Sequence, residues 1–400
     1  MATPDHVRLG VVGLGRAFAL MRPTFAAHPR VRLVAAADPR PEALERFRAE
    51  FPGARAHADA EALCDDPGVD AVYVASPHGL HLEHVRAAAA RRRHVLVEKP
   101  MALTLADAGA MVAAAREAGV RLVVGHSHSF DAPYLRAREL VRSGAFGAVR
   151  MVTALNCTDY LYRPRRPEEL DTARGGGAVF SQAPHQVDVV RLLAGRPARF
   201  VRAASAGRWD PARPTEGAYS AFLDFGDGLS ATLSYSGHGR FDTDELMGWT
   251  GEMGQPRDPG RYGEARAVLR GARSPGEEAA LKERRAYGAD AAALLPAPGS
   301  PPAAHNHFGF VLASCERADL RPTPHGVMIY GDDERRLDEL PPPDVPRAGV
   351  ADELYGAVAL GRPPLHSGEW GLATLEVCLA ILQSAREGRE VALRHQHVPG

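Results

Sequence analysis

Two short stretches of this chain carry side chains suited to moving protons. One is Glu98-Lys99-Pro100, directly after the apolar run His94–Val97. The other is Gly175-Gly176-Gly177-Ala178-Val179-Phe180-Ser181-Gln182-Ala183-Pro184-His185-Gln186-Val187-Asp188. An amine and an imidazole brought together can take a proton from an alcohol or return one. Three consecutive glycines let a backbone pass close to a flat ligand. Each part also has an ordinary reading. Lys99 alone could be an exposed lysine in a strand-to-helix loop. His185 alone could be a core histidine on the apolar helix that continues through Val187–Leu193. The pair, not either residue, carries the chemical reading.

A third stretch says what a lysine and a histidine could serve. Gly10-Val11-Val12-Gly13-Leu14-Gly15-Arg16-Ala17-Phe18 closes the first apolar run. Gly13 suits a tight turn, and Gly15 lets a pyrophosphate approach the backbone at a helix N-terminus. Phe18 stands where the dinucleotide fingerprint has its third glycine, so the motif is incomplete. Asp38 ends the next apolar run, where a carboxylate takes the adenine ribose hydroxyls. The alternative is that Asp38-Pro39 starts a turn and caps the next helix. Turn, strand and acid in that order favour a dinucleotide. A carboxylate there repels a 2′-phosphate, which favours NAD over NADP, while Arg40 is the residue that could hold such a phosphate.

These residues need strands and helices behind them. Val7–Val12, Val31–Ala37, Ala71–Ala75, His94–Val97 and Arg121–Val124 are apolar runs. Helical patterns separate them: Ala17–Ala27 (interrupted by Pro23), one starting near Pro41, Glu83–Arg92 and Leu105–Ala118. Apolar runs alternating with helices indicate parallel strands buried on both faces, the doubly wound α/β pattern. After Gly125 the texture changes. Val149–Leu155, Ala218–Phe225 and Leu229–Ser236 read as strands joined by short turns, with Phe225-Gly226-Asp227-Gly228 as a hairpin turn. Trp249–Gly263 and Leu295–Ala304 read as loops, and Val350–Leu360 and Gly371–Arg386 as helices. The expected fold is α/β: a Rossmann domain over 1–127, then an α+β domain with an open, largely antiparallel sheet over 128–400.

Composition excludes several classes. The chain has 400 residues, 45% hydrophobic and 24% charged, with a net charge of −1. That length suits two domains, and that charge offers no field for nucleic acid. No apolar run approaches the roughly 20 residues that span a bilayer, and Met1–Val7 has no apolar signal core. Cys64, Cys157, Cys315 and Cys378 are scattered and form no CxxC pair, so neither a closed zinc site nor any other metal is expected. His305 and His307 form a His-x-His pair that reads as a strand or loop feature. A reducing cytoplasm is the expected setting.

In order, the Gly13/Gly15 turn, Asp38, Ser76-Pro77-His78, Glu98-Lys99-Pro100 and the glycine run with His185 and Asp188 resemble the Gfo/Idh/MocA family of oxidoreductases over about residues 7–195. The resemblance implies Lys99 and His185 as catalytic groups. It implies a cofactor site of Gly13, Gly15, Arg16, Ala17, Phe18, Asp38, Arg40, Ser76, Pro77, His78, His81, Glu98 and Lys99. It also implies a homodimer or homotetramer built on the open sheet. Two departures stand out. The family places an acid four residues before the histidine, where this chain has Ser181. Its Arg-rich stretch after the last Rossmann strand reads His126-Ser127-His128-Ser129-Phe130-Asp131 here.

The stretch Asn156-Cys157-Thr158-Asp159-Tyr160-Leu161-Tyr162-Arg163-Pro164-Arg165-Arg166-Pro167 bears on the substrate. Arginine forks pair with carboxylates. Tyr162, Arg163 and Arg165, with Ser181, Gln182 and His185, are therefore the candidate contacts to a carboxylated ring diol. A solvated basic loop offset by Glu168, Glu169 and Asp171 has equal standing on the residues alone. Together with Phe180-Ser181-Gln182 and His305-Asn306-His307-Phe308-Gly309-Phe310, the loop resembles the family's phthalate 4,5-cis-dihydrodiol dehydrogenase branch. That implies NAD-dependent oxidation of a cis-dihydrodiol dicarboxylate to 4,5-dihydroxyphthalate in aromatic catabolism. Rival readings are a sugar or cyclitol dehydrogenase, a natural-product ketoreductase, and a dinucleotide sensor without turnover.

Overall fold

The structure, a computed structural model, describes residues 4–205, 209–287 and 301–398. The expected loop Leu295–Ala304 lies, up to residue 300, outside the described residues, as do residues 1–3.

The apolar runs of the first part form one parallel sheet. Its strands are β1 (Val7–Val12), β2 (Val31–Ala37), β3 (Arg55–His57), β4 (Ala71–Val74), β5 (His94–Val97) and β6 (Leu122–Val124). Their order is β3-β2-β1-β4-β5-β6, and each neighbouring pair runs parallel. The order in which strands are added reverses between β1 and β4, so the C-terminal ends of these two parallel strands flank the crevice where such sheets bind ligands. Every residue of β4 is buried, as its unbroken apolar run requires. Phe18 and Phe25 of helix Arg16–Ala27 pack on one face. Val85, Met111 and Val112 pack on the other. Pro23 does not break its helix: His28 N still donates to Thr24 O at 2.9 Å. The three-residue β3 and the helix Ala60–Asp65 went unread in the sequence, since both are too short for periodicity to register.

The second sheet contains β7 (Val149–Cys157), β8 (Phe200–Ser205), β9 (Ala218–Gly226), β10 (Leu229–Ser236), β11 (Phe310–Cys315), β12 (Asp319–Thr323), β13 (Gly326–Tyr330), β14 (Arg335–Glu339) and β15 (Val391–Ala392). Among the described residues its order is β14-β13-β12-β11-β7-β10-β9-β8-β15. Every pair is antiparallel except β10 with β7. The β9–β10 turn is the expected hairpin, with Gly226, Asp227 and Gly228 all at positive φ. The helices Ala183–Ala194 and Gly368–Glu387 cover one face of this sheet. The other face lies open and carries Met151 and Phe222, which are 44% and 38% exposed.

The proposed division into 1–127 and 128–400 follows the two sheets, but packing crosses it. Val350, Ala351, Leu354 and Ala357 of helix Ala348–Ala359 belong to the core of the first sheet. Helices Glu264–Gly271 and Pro275–Glu283 also escaped the sequence reading. The second leads to Tyr287, whose ring lies edge-on to Phe18 with centroids 5.0 Å apart.

Candidate active site

The glycine turn after β1 is built as its residues dictate. Gly13 has φ +95°, and a Cβ there would lie 2.8 Å from the backbone of Ala75 and Ser76. Only glycine lets the ends of β1 and β4 approach this closely. Gly15 precedes the helix Arg16–Ala27 with no side-chain cap, and nothing lies within 4 Å of where its Cβ would be. Free first-turn amides over open space suit a pyrophosphate.

A cleft of about 990 Å³ opens there, lined by Gly13, Gly15, Arg16, Ala17, Asp38, Arg40, Ser76, Pro77 and His78. Glu169, Arg174, Gly175, Ser181 and Lys282 line its other side. Asp38 is buried and accepts Leu14 N at 2.7 Å. Arg40 Nε lies 2.9 Å from Asp38 Oδ1. The acid and the arginine that were read as competing influences on cofactor choice are thus paired with each other.

Four expected cofactor residues, Phe18, His81, Glu98 and Lys99, do not line this cleft. The Phe18 side chain is fully buried and packs against Phe47 and Tyr287. Aromatic packing occupies the place the missing glycine would have left open. His81 is also fully buried, and its ring nitrogens lie 2.9 Å from Ser76 O and 3.2 Å from Met101 O. It ties the turn after β4 to the segment after β5 and does not line the cleft.

Glu98 and Lys99 follow β5 at its C-terminal end. The Tyr73 hydroxyl donates to Glu98 Oε1. Lys99 Nζ donates to Ser181 O at 2.8 Å. Burial lowers the Lys99 pKa, and the Glu98 and Glu252 charges oppose that shift. This is the direction a base needs if it is to be an amine near neutral pH.

The glycine run does other work than expected. A Cβ on Gly177 would lie 2.5 Å or less from the Glu216 carboxylate, and one on Gly176 would lie 2.6 Å from the backbone of Glu168 and Glu169. These glycines let the backbone approach protein groups, and Gly175 alone of the three lines the cleft. The run leads into helix Ala183–Ala194, which carries Pro184 and His185 in its first turn. Gln182 precedes that helix and donates to Ser181 O at 3.2 Å. His185 is 6% exposed, and its Nδ1 has no partner. Burial, aided by the Lys99 charge, pushes its pKa well below the usual imidazole value.

The structure brings to the site residues to which the sequence reading gave no role. The His185 ring lies 4.9 Å from that of His128 and 6.3 Å from that of His126. His128 Nδ1 lies 2.7 Å from Asp131 Oδ2, and its Nε2 lies 3.3 Å from Glu252 Oε1. Burial alone would lower the His128 pKa, but the two carboxylates raise it. For His126, burial and the Arg347 charge outweigh the Asp131 carboxylate and take the pKa down to about 3. The spacing of His126, His128 and Asp131 was visible in the chain, whereas Glu252, in the loop Trp249–Gly263, had no signal. Asp188 is buried and accepts Ser127 Oγ at 2.5 Å, so it holds this segment against the His185 helix.

The arginine loop folds back on itself. Arg163 Nε pairs with Asp159 at 3.0 Å. Arg165 stacks 3.6 Å over the Tyr160 ring and donates to Tyr160 O at 2.9 Å. The Tyr162 ring lies under Arg266 at 3.9 Å. The expected carboxylate-binding arginines therefore have partners within the protein. Arg347 differs. Its Nε, like that of Arg165, is buried without a partner, but its terminal nitrogens touch only the sulfurs of Met21 at 3.6 Å and Met253 at 2.9 Å among the described residues. Among the described residues it has no acid partner. It stands close enough for its charge to shift Glu98, Lys99, His126 and His185. His305 and His307 hold backbone carbonyls, Pro341 O at 2.9 Å and Thr250 O at 2.8 Å.

Comparison with known proteins agrees with this geometry. Residues 7–126 match the oxidoreductase family with an NAD-binding Rossmann fold. Residues 134–254 match the GFO/IDH/MocA C-terminal domain. The chain is 47% identical to a 1-carboxy-3-chloro-3,4-dihydroxycyclohexa-1,5-diene dehydrogenase of Comamonas testosteroni, over 95% of each chain. A myo-inositol 2-dehydrogenase of Thermotoga maritima is 31% identical over 47% of this chain and 55% of its own. A solved structure from Bordetella bronchiseptica RB50 is 42% identical, with a TM-score of 0.89 over 97% of this chain and all of that one.

Proposed function

The chain belongs to the Gfo/Idh/MocA family of oxidoreductases, and from that premise we propose that it oxidises a carboxylated cyclohexadiene cis-diol to the matching catechol, with NAD⁺ as oxidant. The specific substrate we propose is phthalate 4,5-cis-dihydrodiol, which would give 4,5-dihydroxyphthalate. The observation that carries the substrate class is the likeness along nearly the whole chain to a dehydrogenase named for a carboxylated, ring-borne diol. The site agrees in having a guanidinium without an acid, Arg347, near Lys99.

The dinucleotide fits the residues present. Gly13 leaves room that a Cβ would fill, and Gly15 leaves open space before free helix amides. Gly13, Gly15, Arg16 and Ala17 would hold the pyrophosphate, with Asp38 and Arg40 beside the adenine ribose. Asp38 favours NAD over NADP in this reading. NAD⁺, when bound, supplies the hydride acceptor.

The chain's own residues handle the proton. Lys99, lowered toward its amine form, accepts the proton of the hydroxyl whose carbon gives up the hydride, leaving a ketone. His185 orients that hydroxyl. The adjacent carbon then loses its proton and the ketone oxygen gains one, which makes the ring aromatic. Because aromatisation drives the reaction, Ser181 suffices where the family places an acid. Arg347 receives a substrate carboxylate in place of the paired Arg163 and Arg165.

No helix among the described residues is long and apolar enough to cross a membrane. The same reading places the enzyme in the cytoplasm as a homodimer or homotetramer, with the face bearing Met151 and Phe222 covered by another copy. The test is a panel of carboxylated cis-diols, inositols and aldoses with NAD⁺ or NADP⁺, followed by absorbance of the reduced cofactor. A higher kcat/KM for a polyol than for every carboxylated diol overturns the substrate reading.

A further inference from the structure

We propose that His126, His128 and Asp131 form a binding site for a divalent transition-metal ion beside Lys99 and His185. The three residues are 4%, 0% and 6% exposed. Each offers a ligand atom, and these atoms lie within 4.8 Å of one another. Donors bound at about 2.0–2.2 Å around a tetrahedral ion stand roughly 3.4 Å apart. His126 Nε2 and Asp131 Oδ1 are 3.4 Å apart, and His128 Nδ1 and Asp131 Oδ2 are 2.7 Å apart. Small side-chain rotations therefore bring the set around one ion. Two imidazoles and one carboxylate suit Zn²⁺, Co²⁺ or Fe²⁺ and leave positions free for substrate.

The surroundings match a metal site in two further respects. Metal-ligating histidines usually give their other nitrogen to a carboxylate, and ligating carboxylates are themselves hydrogen-bonded. His128 faces Asp131 with Nδ1 and Glu252 with Nε2, and Asn306 Nδ2 donates to Asp131 at 3.4 Å. Independently, His185 is a buried imidazole whose Nδ1 finds no partner in the protein. Its ring lies at 63° to that of His128 with centroids 4.9 Å apart. A buried nitrogen left unbonded is costly, and an ion in the cluster, or an oxygen bound to that ion, would supply the missing partner. Lys99 and Arg347 oppose a cation here, while Asp131, Glu252 and Glu98 offset them.

The ion's use follows from the proposed function, on which this last step rests. With three protein ligands a tetrahedral ion has one open position, and expansion to five-coordination gives the two needed to chelate vicinal hydroxyls, which distinguish a cis-diol from a simple alcohol. Binding there would acidify the hydroxyl that gives its proton to Lys99.

The test uses the full-length protein after dialysis against a chelator, with Co²⁺ or Zn²⁺ as probe. We expect one equivalent of Co²⁺ to bind and to show ligand-field absorption in the visible range. Asp131→Asn and His126→Gln should abolish it. Circular dichroism checks that they fold. Glu252→Gln, milder because the ligands remain, should weaken Co²⁺ binding about 10–100-fold. No bound Co²⁺, or binding unchanged in Glu252→Gln and His126→Gln alike, overturns the site. A chelated enzyme with undiminished diol oxidation overturns the metal's role and leaves the dehydrogenase standing. Co²⁺ binding in a protein that oxidises no diol leaves the site standing and removes the proposed function.

Discussion

Lys99 Nζ donates to the backbone oxygen of Ser181 at 2.8 Å. This contact joins the end of β5 to the segment just before His185 and crosses from one sheet's domain to the other. It fixes the amine where the cofactor cleft, which Ser181 lines, meets the histidine cluster. The position with no acid in its side chain thus contributes its carbonyl instead.

The contact makes Lys99 testable apart from binding. Lys99→Ala should retain NAD⁺ affinity, read by fluorescence quenching, and lose about 10²–10⁴-fold in kcat, the usual worth of a positioned base. Turnover close to wild type would remove Lys99 from the mechanism. The pH profile has a fixed sign. Oxidation needs the amine, so kcat rises with pH, and burial sets the midpoint below the ordinary lysine value. Glu98 pulls the other way by favouring the ammonium, so Glu98→Gln should move the midpoint to still lower pH. A shift upward would contradict the electrostatic account.

Arg347 and Arg163 make opposite predictions. Arg347→Met should raise KM for a carboxylated diol by about 10–100-fold, since a charge-assisted hydrogen bond contributes roughly 1.5–3 kcal/mol, with a smaller change in kcat. Arg163→Met removes a guanidinium already paired with Asp159 and should leave KM within about threefold, as expected for a partly exposed ion pair. Esterifying the substrate carboxylate should erase the Arg347 effect. If Arg163 governs KM and Arg347 does not, the carboxylate sits in the loop and not beside Met253.

Gly13 links the fold to the cofactor. Gly13→Ala places a Cβ 2.8 Å from backbone atoms of Ala75 and Ser76 at φ +95°. It should destabilise the protein by about 1–3 kcal/mol and weaken NAD⁺ binding. Gly15→Ala meets open space and no positive φ, so it should leave the melting temperature nearly unchanged while still crowding the pyrophosphate. Equal melting losses in the two variants would argue against the steric account.

What could be read beforehand divides by distance along the chain. The parallel sheet was legible because runs such as Ala71–Ala75 are local and buried on both faces. Gly13 and Asp38 were legible because turn chemistry is local too. Lys99 and His185 were paired by their chemistry, and a family resemblance gave the pair its catalytic role, since nothing in either segment specifies the other. Arg347 and Glu252 could not be read at all: each reaches the site from a loop whose own sequence shows no periodicity. Phe18 was misplaced because a ring that packs against it, Tyr287, lies far along the chain. His126, His128 and Asp131 were in plain view, but their spacing was read as a departure from a family and not as a set of ligands.

The buried histidines, with the half-buried His78, predict acid lability. Burial lowers His78 and His126 to about 3 and shifts His81, His185, His305 and His307 down as well. Each titrates near 6.5 when unfolded. The unfolded chain therefore binds more protons between about pH 6.5 and 3, so these groups support the fold above that window and lose their contribution as pH falls through it. His128, raised by Asp131 and Glu252, opposes the trend over its own range. Urea midpoints measured from pH 7.5 to 5 should fall, with a slope of up to about 1.4 kcal/mol per pH unit for each extra proton taken up on unfolding. His78→Asn, at the mouth of the cofactor cleft, should flatten that slope without abolishing folding. A slope that is flat in the wild type, or unchanged in His78→Asn, would show that these imidazoles are not held neutral in the native state.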